Sequence, residues 1–205
     1  QAVQRDFTAP REQFSPETAG DISHLLEAAG RVETILGSTG QPANHHDLMN
    51  VLTALRMSQM TAKRMIQHGQ RAEVEPGTML GAIVNISSIT AQVTRPELLA
   101  YSMASAAIDQ MTRSMALALA PKGIRVNAVA FGSVTSRSLQ TPIKNHPESR
   151  EAIVTGTPLN RIAAAHEVAE AVQFLSSDAA GFVTGQVLSV DGGRSLMDAV
   201  TAPAH

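Results

Sequence analysis

Residues 81–130 read GAIVNISSITAQVTRPELLAYSMASAAIDQMTRSMALALAPKGIRVNAVA. Two runs in this stretch, Gly81–Ser87 (GAIVNIS) and Ile124–Ala130 (IRVNAVA), are short, continuous and rich in β-branched residues. That is the pattern of strands covered on both faces. Between them lies a segment rich in Ala and Met, about Leu98–Ala120, closed by Pro121-Lys122-Gly123. Its length and punctuation predict a helix. Strand, helix, strand at this spacing makes a parallel β-α-β unit, since parallel neighbours need a crossover between them.

The same alternation extends in both directions. Upstream, the apolar positions Leu48, Val51, Leu52, Leu55 and Met60 recur with a period near 3.6 and predict a helix over about Asp47–Gln67. Gly69–Thr78, with Pro76-Gly77, is expected to be a polar loop. Downstream, a polar connection Gly132–Glu148 leads to a helix near Glu151, a helix over His166–Leu175 and a last strand over Gln186–Val190, ended by Asp191-Gly192-Gly193. Residues 1–46 are polar, rich in Pro, Gly and His, and poorly defined, with a short helix expected near Asp21–Ala29 and a brief strand over Val32–Leu36. The expectation is one α/β domain over 1–205, mostly parallel, with helices on both faces of the sheet.

Composition narrows the function classes. The chain has 205 residues, 43% of them hydrophobic, enough for one substantial core. A net charge of −2 argues against a dedicated nucleic-acid binder. With no Cys, thiolate–metal sites, disulfides and cysteine nucleophiles are excluded. No run approaches the roughly 18 apolar residues of a membrane span. The opening QAVQRDFTAPRE lacks the apolar core of a secretory signal. A soluble chain in a reducing, cytoplasmic setting is expected. Its first residue is Gln, so the natural start is expected upstream.

The chemistry converges on the only tyrosine. The first predicted strand delivers Ser87-Ser88 to its carboxyl end, where open α/β folds bind ligands. Tyr101 follows at the head of the long helix, placed to meet the Ser88 hydroxyl across a crevice. A phenol ordinarily titrates near pH ~10 and needs a neighbouring cation to work at neutral pH. One helical turn on, where such a cation would sit, the chain has Ser105.

Other motifs lead nowhere. Adjacent His45 and His46, with Asp47, have no further ligand spaced to close a metal site, and a solvated helix N-terminus explains them. Gly37-Ser38-Thr39-Gly40 lacks the Gly-Lys-Ser/Thr ending of a phosphate loop, and no Gly-x-Ser-x-Gly elbow is present. Met103, Ala107, Met111 and Met115 recur at every fourth residue, as a core or subunit-contact stripe does.

Six blocks together make a specific pattern. They are Asn85-Ile86-Ser87-Ser88, Tyr101–Ala107, Gly123–Val129, Thr157–Arg161, Phe174–Asp178, and Val183–Gln186 leading to Val190-Asp191-Gly192-Gly193. In this order and spacing the stretch from Gly81 to Gly193 resembles the C-terminal part of the short-chain dehydrogenase/reductase family. The resemblance implies a Rossmann-like fold and hydride exchange between NAD or NADP and the carbon of a small-molecule alcohol or ketone. It implies that Ser88 holds the substrate oxygen, Tyr101 moves its proton, and Asn50 anchors a water relay. Gly40, Gly132, Val134 and Ser136 fall where the family contacts its cofactor, Val134 through its backbone and Ser136 through a hydroxyl beside the nicotinamide amide. It also implies a homodimer or homotetramer built on the helices Asp47–Gln67 and Leu98–Ala120, with no nucleic-acid or membrane partner.

The chain departs from the family at four places. The family's catalytic lysine is replaced by Ser105, its Asn-Asn-Ala-Gly turn by Gly37–Gly40, and a Pro-Gly pair by Phe131-Gly132. No glycine-rich turn between strand and helix precedes Ile83, so the nucleotide-binding half is expected to be missing and the sheet incomplete on its N-terminal side. Two functions therefore stand side by side. One is an NAD(P)-dependent oxidoreductase of this family. The other is a catalytically degenerate relative acting as an oligomer partner or scaffold.

Overall fold

The computed structural model describes residues 45–198, apart from 76, 94, 137, 138, 140–143, 145 and 146. The helix expected near Asp21–Ala29, the strand over Val32–Leu36 and the candidate Gly40 lie outside the described residues. In chain order the elements are α1 (His45–Arg71), β1 (Gly81–Ser88), α2 (Leu99–Leu119), β2 (Ile124–Phe131), α3 (Pro147–Thr155), α4 (Ala165–Ser176) and β3 (Val187–Val190). The strands form one parallel sheet in the order β1-β2-β3. Helices α1 and α2 pack on one face and α4 on the other, so the alternation read from the sequence becomes three layers.

Register explains why both strands look uniformly apolar. Ile83 pairs with Val126 and joins Ala62, Ala116 and Ile124 in the core beneath α1 and α2. Val84, next in line, turns to the opposite face and packs with Val129, Leu175 and Ala180 under α4. Each strand thus alternates between two buried faces rather than between core and water. Met115 lies against the first core while Met103 remains exposed, so the methionine stripe is divided between the interior and the surface.

Polar side chains tie the layers together. Ser58 of α1 donates to Asn85 Oδ1 at 3.3 Å, and Asn85 Nδ2 donates to Thr112 Oγ1 of α2 at 2.9 Å, all three buried. On the other side, Arg125 donates to the carbonyls of Leu175 at 2.7 Å and Ser177 at 3.0 Å, at the negative end of α4. Asn127 donates to Val183 O at 2.8 Å and accepts the Gln186 N–H at 3.0 Å. The Arg125–Asn127 pair thereby guides the chain into β3. At the start of α4, Glu167 reaches back to the Ala164 N–H at 2.8 Å and pairs with Arg161 at 2.6 Å. These contacts, the Arg161 hydrogen bond first, hold its carboxyl down at about 2.

Helix α1 runs to Arg71, four residues beyond the sequence expectation, and takes Gly69 with it. A Cβ at Gly69 would come within 2.8 Å of Leu80 Cδ2, so glycine is used there for close approach rather than to break the helix. The loop therefore begins at Ala72. Strands β1 and β2 each gain one residue, Ser88 and Phe131, which pair with each other, and β3 begins one residue later than expected. No helix among the described residues is long and apolar enough to cross a membrane.

Arg125→Met should lower stability by about 2–4 kcal/mol, because a charged donor to buried carbonyls is removed and those acceptors stay buried. Urea unfolding of the two proteins measures the difference.

Candidate functional site

The carboxyl ends of β1 and β2 face the head of α2, and a cavity of about 380 Å³ opens there. Its lining includes Asn50 and Thr53 from α1, Ser87 from β1, Phe131 from β2, and Tyr101 and Ser105 from α2. Helical spacing places Asn50 and Thr53 on one side of α1, and Tyr101 and Ser105 on one side of α2. Three of the residues singled out in the sequence, Asn50, Tyr101 and Ser105, therefore meet at one void.

Ser105 is only 3% exposed, and its Oγ donates to the Tyr101 carbonyl oxygen at 2.8 Å. The hydroxyl is engaged by its own helix in an i to i−4 bond rather than aimed at the phenol. Among the described residues lining the cavity none carries a charge.

Ser88 is one residue beyond Ser87 and is not among the residues lining this cavity. Alternation along β1 turns the two hydroxyls to opposite sides. Ser88 is buried and its Oγ accepts the Thr90 N–H at 3.3 Å, starting the turn Ile89–Ala91. Ser87, placed at the strand end by the sequence reading but given no role there, donates to Ser105 O at 3.2 Å. Strand parity, visible in the sequence once the face of Ile83 is known, is the signal that separates the two serines.

The segment after β2 is fixed mainly by backbone contacts. Gly132 N donates to Val190 O at 3.1 Å, and a Cβ on Gly132 would meet Asp191 Cβ at 3.0 Å, so a side chain there would crowd the end of β3. Val134 bridges to Ala163, and Thr135 N donates to Ala163 O at 2.8 Å. Ser136 Oγ accepts the Leu139 N–H at 3.3 Å. Gly132, Val134 and Ser136 thus lie at the same edge of the sheet as the cavity without lining it.

One buried acid sits behind the site. Asp109, two turns along α2 from Tyr101, is 4% exposed, and its Oδ1 has no hydrogen-bond partner. Burial, the largest influence, pushes its carboxyl above the ordinary range, while the Ser87 hydroxyl and the Arg113 charge counter this only in part.

A family model described as "Enoyl-(Acyl carrier protein) reductase" matches residues 10–195. The chain belongs to the short-chain dehydrogenase/reductase family, as its sequence pattern led us to expect. It is 46% identical over 119 residues to a cis-4-hydroxycyclohexanecarboxylate dehydrogenase of Sinomonas cyclohexanicum, covering 57% of this chain and 46% of that protein. It is 34% identical over 183 residues to a galactitol 2-dehydrogenase (L-tagatose-forming) of Cereibacter sphaeroides, covering 88% and 68%. Among solved structures it resembles a 7α-hydroxysteroid dehydrogenase complexed with NADH and 7-oxo glycochenodeoxycholic acid, with a TM-score of 0.62 and 33% identity over 70% of this chain and 52% of that one. The chain therefore spans from about half to two thirds of the length of these relatives.

Because the folded value of Asp109 lies above the unfolded one, ionisation is harder in the fold, and stability falls as pH rises past about 4. Asp109→Asn should melt at a higher temperature than the parent at pH 7, with the gap closing below about pH 4. A thermal melting series from pH 3 to 8 tests this.

Proposed function

We propose that the chain carries the proton-transfer side of an NAD(P)-dependent oxidoreductase that interconverts a secondary alcohol and its ketone. The observation that carries the reading is the single cavity holding Tyr101, Asn50 and Ser105 at the carboxyl edge of a parallel sheet. The three relatives named above are dehydrogenases, which supports the same reaction class.

The residues present suit the nicotinamide end of such a cofactor. A void of about 380 Å³, with a mainly apolar wall that includes Asn50, Thr53, Ser87 and Tyr101, has room for a nicotinamide ring. When bound, that group supplies or accepts the hydride. In our reading Gly132, Val134 and Ser136 flank it. The Tyr101 hydroxyl gives a proton to the substrate oxygen during reduction and takes it back during oxidation. Asn50 with Thr53 anchors water that connects the phenol to solvent, while Ser88, which the resemblance assigns to the substrate oxygen, lies outside the lining of this cavity. Ser105 carries no charge, so the phenol draws no help from a cation at that position.

Tyr101→Phe should lower turnover by on the order of 10²–10⁴, the share ordinarily supplied by a positioned acid–base group. Ser105→Lys should raise turnover at neutral pH by about tenfold or more and move the rate profile to lower pH, because a cation favours the phenolate. NAD(P)H absorbance with a cyclic ketone measures both; equal rates in the parent, Tyr101→Phe and Ser105→Lys proteins would contradict the reading.

The reading includes a homodimer or homotetramer in the cytoplasm. Support comes from an apolar groove between α1 and α2 lined by Leu55, Ile66 and Met115, and from Met57 (58% exposed) and Leu117 (81% exposed) elsewhere on the two helices. Met57→Glu with Leu117→Glu should reduce the mass seen by light scattering to that of one chain, and a parent already monomeric at micromolar concentration overturns the assembly.

A further inference from the structure

Behind the cavity wall lies a buried acid that the reaction above leaves unused. Tyr101, Ser105 and Asp109 recur at every fourth residue of α2, so they rise one above another along one side of the helix. Tyr101 and Ser105 line the cavity, and Asp109 is the next step inward. It is 4% exposed, and its Oδ1 meets no hydrogen-bond partner. The charge that reaches it comes from Arg113, one turn further on and itself exposed. A carboxylate in such a place is costly, and a neutral acid is favoured.

The Ser87 hydroxyl joins this acid to the wall. Its Oγ lies 3.2 Å from Ser105 O, and both residues are buried. In an α-helix that carbonyl faces the amide of residue 109, so the Ser87 hydroxyl sits against the turn from Ser105 to Asp109. The Asp109 carboxyl hydrogen-bonds the same hydroxyl. Counting hydrogens then fixes which group donates. A carbonyl only accepts, so the one hydrogen of Ser87 goes to Ser105 O. A carboxylate also only accepts, and it would meet the Ser87 oxygen lone pair to lone pair. The chain closes when Asp109 is protonated and donates to Ser87 Oγ, which gives its own hydrogen to Ser105 O. One turn nearer the head of α2, Ser105 Oγ donates to Tyr101 O at 2.8 Å.

We propose that Asp109 is a positioning residue for Tyr101, acting through the Ser87 hydroxyl to fasten the end of β1 to α2 beside the phenol. Ser87 and Tyr101 border the same cavity, one from the strand and one from the helix. A bond between those two elements next to the cavity therefore sets how its walls stand to each other. A serine hydroxyl has three staggered positions open to it, and a donor at residue 109 selects the one that reaches Ser105 O. That Tyr101 transfers a proton rests on the oxidoreductase reading, whereas its placement is a property of the folded chain alone.

Tyr101 is the only tyrosine and the chain has no tryptophan, so the tyrosine band of the near-ultraviolet circular dichroism reports it alone. Asp109→Asn keeps a donor for Ser87 Oγ, Asp109→Leu keeps the volume without one, and Ser87→Ala removes the middle of the chain. The leucine and alanine variants, each shown to be folded by far-ultraviolet circular dichroism, should alter the band, and the double variant should alter it no further. The asparagine variant should keep the parent band. Turnover should follow the same order, with kcat down about tenfold or more in the leucine and alanine variants, KM little changed, and asparagine within about twofold of the parent. Asp109→Ala takes the place of the leucine variant if that one does not fold. An unmoved band in the leucine and alanine variants, additive changes in the double variant, or an asparagine variant as altered as the leucine one overturns the proposal. The expected bands in a chain that transfers no hydride uphold the positioning and remove the oxidoreductase reading, so the two fail separately.

Discussion

Two parallel strands enclosed by helices on both faces leave one place where side chains can meet a ligand, namely their carboxyl ends. In β1 and β2 every backbone step commits a residue to one core or the other, Ile83 and Val126 to the first, Val84 and Val129 to the second. Such strands cannot present a functional face along their length. Ser87, Phe131, the head of α2 and the loops that carry Arg95, Ser133 and Arg194 all lie where the strands run out. The lateral order of the strands is in turn held by buried polar contacts: Asn85 between Ser58 and Thr112, and Arg125 and Asn127 on the chain entering β3. Each replaces water lost on burial, so each costs little when complete and much when broken.

The site has the same economy and one deficit. Helical spacing from Tyr101 puts Ser105 and then Asp109 along the buried side of α2. Ser105 satisfies itself on the preceding turn. Asp109 is left with an oxygen that nothing meets, and burial resists its ionisation.

Much of this was legible in the sequence. β-Branched runs gave the strands to within a residue, since a strand covered on both faces admits few polar residues. The Tyr101–Ser105 spacing sufficed to bring those positions together, because a helix fixes its own geometry, and Asn50 arrived at the same cavity through the periodicity of α1. What escaped notice depends on contacts between elements distant in the chain. Which of Ser87 and Ser88 faces α2 follows from strand parity against a partner helix. Gly69 looked like a helix end and is a point of close packing against Leu80.

The central claim is that the phenol of Tyr101 borders the space where a nicotinamide binds. Because this tyrosine is the only one in the chain, incorporation of 3-fluorotyrosine gives a single fluorine resonance. Titration with NADH and with nicotinamide mononucleotide should move that resonance saturably. A signal that stays in place with either ligand at millimolar concentration contradicts the account.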